Sequence, residues 1–145
     1  MCDVQNVAVL GGGVIGASWA ALFLAAGRSV TLFDPASDVE TSVRTYVDDA
    51  WPALEDLGLT DRATPEALRF VGTAAEAVGE ADFVQENVPE RLAIKHATYA
   101  EIEPALKDGA IVSSSTSGLT LEALQEGWRD PEPLILGHPF NRAAL

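Results

Sequence analysis

One cysteine, one methionine and two histidines occur in 145 residues. Cys2 has no internal partner for a disulfide, so a reducing compartment, the cytoplasm, is the expected setting. Cys2, His96 and His138 stand far apart and lack any ligand spacing, so no metal is expected. No apolar run approaches the ~20 residues that cross a bilayer. The opening Met1-Cys2-Asp3-Val4 lacks the basic-then-apolar pattern of a secretory leader. Bases are scarce: nine Lys and Arg against 22 Asp and Glu leave a net charge of −13. Such a chain suits neither nucleic acid nor an anionic membrane, because both are held through Lys and Arg.

What is present fits one soluble domain. The length allows a single core and is too short for two ordinary ones. Hydrophobic content of 48% with 21% charged residues is ordinary for a globular chain. Apolar runs and helical periods alternate. Strands are expected at 6–10, 29–33, 68–71, 82–85, 110–112 and 134–136. Helices are expected at 14–26, at 38–57 with Pro52 as a kink or split, from Pro89 to Leu106, and after Thr120 as N-cap. In the Pro89–Leu106 helix the apolar face is read as Leu92, Ile94, Tyr99 and Ile102, with His96 on the surface. This order predicts an α/β chain: a doubly wound, mostly parallel sheet of about six strands with helices on both faces, the Rossmann type.

Between the first strand and helix lies Gly11-Gly12-Gly13-Val14-Ile15-Gly16, a G-x-G-x-x-G turn with no Lys-Ser/Thr pair of a P-loop behind it. Gly11 allows a tight turn, Gly13 removes a Cβ where a backbone approaches phosphates, and Gly16 lets helix and strand pack closely. The helix N-terminus, opened by Val14 and Ile15, then offers free N–H groups to a pyrophosphate. Asp34 ends the second strand, where its carboxylate can accept from ribose hydroxyls and repel a 2′-phosphate. Pro35, Ala36 and Ser37 supply no guanidinium, so NAD is expected over NADP. The competing reading of Asp34 is a turn cap before Pro35.

In such sheets ligands bind beyond the carboxyl ends of the strands. That rule brings 86–90, Ser113–Ser117 and 138–141 towards the glycine loop. His138 is the best candidate for a base, since imidazole titrates nearest neutrality. The hydroxyls of 113–117 could hold a substrate oxygen beside it, or form an ordinary loop.

Four motifs in order, GGGVIG with Asp34, VQENVPERLAIK at 84–95, SSSTSGL at 113–119 and GHPFN at 137–141, resemble the NAD-binding domain of the 3-hydroxyacyl-CoA dehydrogenase family. The wording is most similar to the branch that holds carnitine and gulonate 3-dehydrogenases. The resemblance implies a 3-hydroxyl oxidised to a ketone, with His138 as base, Ser117 at the substrate hydroxyl and Asn141 near carbonyl and nicotinamide. It also implies that Glu90 and Lys95 line the NAD site. Without it, Glu90 reads as a first-turn acid and Lys95 as solvated surface. Family members continue into an acid that orients the histidine and a helical domain that completes the pocket and dimerises. After Asn141 this chain has four more residues, so weak turnover is expected from it alone.

Six acids against Arg44 between Pro35 and Gly58 disfavour a polyanionic CoA ester, modestly. A small 3-hydroxy acid, possibly cationic like carnitine, and a 3-hydroxyacyl-CoA therefore stay open together. The alternative class is a non-catalytic NAD-binding or structural protein on the same fold.

Overall fold

A computed structural model describes residues 3–139. Six strands form one sheet: β1 (Asn6–Leu10), β2 (Ser29–Phe33), β3 (Leu68–Phe70), β4 (Phe83–Glu86), β5 (Ile111–Ser114) and β6 (Leu134–Leu136). Their order is β3-β2-β1-β4-β5-β6, and every pairing is parallel. The helices between them are α1 (Val14–Ala25), α2 (Val39–Leu57), α3 (Ala74–Val78), α4 (Leu92–Ile102) and α5 (Leu121–Gln125).

Parallel strands covered on both faces must be apolar on both, and β1 is. Val7 and Val9 point into a core with α1 and α2, which also holds Leu24, Val43 and Val47. Ala8 and Leu10 point the other way, against Val84, Val112, Tyr99 and Ile102 under α3, α4 and α5. β1 is thus the shared wall of two cores. The order reverses between β1 and β4, and there the carboxyl ends of neighbouring strands open a crevice.

Several boundaries differ from the sequence reading. Pro52 sits inside an unbroken α2. Both Pro52 and Asp48, whose carbonyl loses its intrahelical donor, are exposed, so water can replace the missing N–H. Helix α4 begins at Leu92 rather than Pro89, after an extended Arg91 at φ −128°. It ends at Ile102, and the chain continues as a 3-10 turn at Glu103–Ala105. Helix α3, unforeseen, is a five-residue element capped by Thr73, whose hydroxyl accepts from Glu76 N. Among the described residues no helix is long and apolar enough to cross a membrane.

Candidate functional site

Two glycines of the loop are fixed by what a Cβ would meet. Gly11 has φ +89°, and a Cβ there would lie 2.5 Å from the Asn87 carbonyl oxygen across the crevice. At Gly16 a Cβ would fall 1.8 Å from the Gly11 carbonyl oxygen, so helix and loop could not meet. Around Gly13, the N-cap of α1, nothing lies within 4 Å of a Cβ, leaving the helix N-terminus open to an anion. Val14 and Ile15 beside it are 54% and 40% exposed although apolar.

Asp34 does two things at once. Oδ2 accepts from Gly12 N at 2.7 Å, and Oδ1 accepts from Ala36 N at 2.8 Å. It is both the turn cap and the brace of the glycine loop. A carboxylate has about four lone-pair sites, so the half-buried group keeps acceptor capacity for ribose hydroxyls. Beside it opens a cleft of about 230 Å³ walled by Leu10, Phe33, Pro35, Val88, Pro89 and Ile94. An apolar slot next to a carboxylate with acceptor capacity to spare suits an adenine ring. Cradle, acid and slot therefore fit a dinucleotide on this chain's own residues.

Lys95 is not solvated surface. It is 1% exposed, and its Nζ donates to Glu86 Oε1 at 2.7 Å and to the Val88 carbonyl at 3.1 Å. Glu86, itself 0% exposed, also accepts from Val88 N, from the Tyr99 hydroxyl at 2.8 Å and from Ser114 Oγ at 2.5 Å. The buried pair thus ties the Val88 backbone to α4 and β5. Burial, and then the Glu86 charge, push the Tyr99 hydroxyl well above its ordinary pKa. The helix spacing explains the burial: Leu92, Lys95, Tyr99 and Ile102 share one inward face, whereas Ile94 is exposed.

Glu90 meets the serine-rich segment. Thr116 Oγ1 donates to its carboxylate, and the N–H groups of Gly118 and Ser117 face it. Burial pulls this carboxyl upward, but the Thr116 hydroxyl, Lys95 and those N–H groups outweigh it and hold it below the usual range. Of the hydroxyl run, Ser113 and Ser114 belong to β5, and Ser114, Ser115 and Thr116 are spent on internal bonds. Ser117 is the exposed hydroxyl.

His138, past the end of β6, is exposed, with Nδ1 3.0 Å from the Ser115 carbonyl oxygen. His96 is half-buried rather than on the surface; its Nε2 lies 2.7 Å from the Ala123 carbonyl and joins α4 to α5. The structure thus gathers the glycine loop, Asp34, Glu90 and the end of β5 with His138 at the carboxyl edge of the sheet. Asn141 lies outside the described residues. Sequence reasoning brings 86–90 and 113–117 to this edge but gives no separate role to Glu86, Asn87 or Ser115 and misses Gln85; these four build the floor beneath it.

Arg44, the lone base of α2, is taken up by Glu40 at 3.1 Å and by the Phe70 ring at 5.2 Å. Its six acidic neighbours on 38–56 are all exposed.

Residues 6–145 match the family model described as 3-hydroxyacyl-CoA dehydrogenase, NAD binding domain. An L-carnitine dehydrogenase of Nocardiopsis dassonvillei is 50% identical over 138 residues, covering 95% of this chain and 42% of that protein. One from Bacillus cereus is 46% identical over 143 residues, covering 99% and 44%. Among solved structures, Escherichia coli 3-hydroxybutyryl-CoA dehydrogenase aligns with TM-score 0.86 at 28% identity, covering 98% of this chain and 31% of that one. The chain spans less than half the length of the curated relatives it matches. The match covers nearly every residue of the fold, and this chain belongs to the 3-hydroxyacyl-CoA dehydrogenase family, as its NAD-binding domain.

Proposed function

We propose that this domain serves the NAD-dependent oxidation of the 3-hydroxyl of a small 3-hydroxy acid, with L-carnitine the favoured substrate over a 3-hydroxyacyl-CoA. The observation that carries the reaction type is His138 standing at the same sheet edge as the glycine loop and Asp34. The choice of substrate leans on relatives named L-carnitine dehydrogenase at 50% and 46% identity. It leans also on the exposed acids of α2, which suit a quaternary ammonium better than a polyphosphate.

Bound NAD would supply the acceptor for the hydride of the carbon that carries the hydroxyl. His138 takes the hydroxyl proton, and the Ser117 hydroxyl holds the same oxygen. Asn141 is assigned to the carbonyl side, and Glu90 and Lys95 shape the loop against the cofactor. The protein that carries this domain is proposed to act in the cytoplasm as a homodimer.

The test is a substrate panel of L-carnitine, gulonate and 3-hydroxybutyryl-CoA on that protein, following NADH formation, with His138→Gln beside the wild type. L-carnitine should give the highest kcat/KM, and His138→Gln should lose ~10²-fold or more in kcat. Activity unchanged in His138→Gln would refute the base. Preference for the CoA ester would refute the substrate. No turnover of any alcohol, with NADH still bound, would favour a non-catalytic role.

A further inference from the structure

Glycine at 11 permits the positive φ of the turn but does not select it, because glycine visits both signs of φ freely. Another group must hold the loop in one shape. We propose that Asn87, across the crevice, is a positioning residue for the cofactor: its side-chain amide locks the glycine turn in the form that takes the pyrophosphate. The inference rests on this edge being the NAD cradle and is independent of His138 and of the substrate.

Asn87 touches both ends of the turn. Its backbone N–H donates to the Leu10 carbonyl at 2.7 Å, and its own carbonyl oxygen is the atom that a Cβ at Gly11 would meet. Its side-chain Nδ2 donates to the same Leu10 carbonyl at 3.3 Å and to the Gln85 carbonyl at 3.1 Å. That nitrogen would lie 3.5 Å from a Cβ at Gly16, so the amide also abuts the first turn of α1. Leu10 and Gly16 bracket the loop, and one side chain bridges them.

An amide is what these partners require. The two carbonyls can only accept, so the nitrogen end must face them. The oxygen end accepts from the Ser115 hydroxyl at 2.6 Å, and that hydroxyl itself accepts from Gln85 Nε2 at 2.7 Å. Ser115 is 8% exposed and Gln85 1%, so this relay is shielded from competing water. A carboxylate at 87 would set oxygen against oxygen at Leu10 and Gln85, and would add negative charge beside an anion site. Alanine would strip one donor from Leu10 and leave the Ser115 hydroxyl without its acceptor.

The test compares ligands with and without phosphate. Adenosine needs Asp34 and the apolar slot, which Asn87 does not line, whereas ADP-ribose and NADH need the cradle as well. Asn87→Ala should weaken NADH and ADP-ribose about tenfold, and Asn87→Asp more, with adenosine held within about twofold. A residue that merely stabilised the fold would move all three ligands alike, and that result overturns the proposal. NADH affinity unchanged in folded Asn87→Ala overturns it too, even if Asn87→Asp loses affinity through its charge. Should neither variant fold, the wild type still decides. The chain has three asparagines, so 15N-asparagine labelling gives a simple side-chain spectrum. Both Asn87 Nδ2 hydrogens should exchange slowly with water, and free exchange overturns the proposal. A wild-type chain that binds adenosine but neither NADH nor ADP-ribose overturns the cradle and this proposal with it, a result distinct from losses confined to the variants.

Discussion

At Gly16 a single hydrogen separates the helix from the loop it must touch. A Cβ would lie 1.8 Å from the Gly11 carbonyl oxygen, and backbone cannot swing aside as a side chain can. Gly16→Ala should cost roughly 1–3 kcal/mol in thermal unfolding and weaken NADH binding together, because helix and loop must separate. Gly13→Ala should leave stability near wild type, since nothing lies within 4 Å of its added methyl; a loss of NADH affinity without a loss of Tm would mark the place where phosphate comes close. Asp34 carries two backbone bonds besides its expected hold on ribose. Asp34→Ala should lower NADH affinity about tenfold, ~1.4 kcal/mol, and narrow the gap to NADPH in parallel fluorescence titrations.

Helix α4 is where the energetics and the chemistry meet. Lys95→Met removes one partner of a pair that is 1% and 0% exposed, leaving the Glu86 charge buried and uncompensated. A loss of about 3–5 kcal/mol in denaturant unfolding is expected, and Lys95→Met with Glu86→Gln should cost less than the two single changes summed. This pair was legible only in part. The family resemblance implies a Lys95 that lines the cofactor site, and its charge alone implies surface. Its spacing from Leu92, Tyr99 and Ile102 puts it on the buried stripe, although a lysine ordinarily stands in solvent. Helix α3 had a similar cue in Thr73-x-x-Glu76, a capping pattern over too short a stretch to show a period. The strands and longer helices were plain because two-sided burial makes strands continuously apolar and flanking glycines end helices. Hydrogen bonds across β4 and β5, such as Ser115 to Gln85 and Asn87, join residues 30 and 28 positions apart and leave no local trace.

Across the whole molecule, acid should loosen the sheet at its amino edge. Asp82 accepts from the N–H groups of Asn6 and Gln5 at 2.8 Å each and pairs with Lys107. The Asn6 bond first, then Lys107 and Gln5, lower its pKa from 3.8 to about 2. A carboxyl lowered in the folded state stabilises above its unfolded pKa and loses that contribution as pH falls through the folded one. The window is therefore between about 4 and about 2. Asp82→Asn should flatten the acid limb of the stability curve there, by on the order of 1 kcal/mol after solvent screening. The larger claim concerns the opposite edge, where the glycine loop, Asp34 and the apolar cleft form a NAD cradle within these 145 residues. Titrating the chain with NADH and with NADPH, followed by nicotinamide fluorescence, tests it most directly. Saturable NADH binding that is clearly tighter than NADPH binding is the predicted result; no NADH binding by the folded chain, or tighter NADPH binding, would contradict the account.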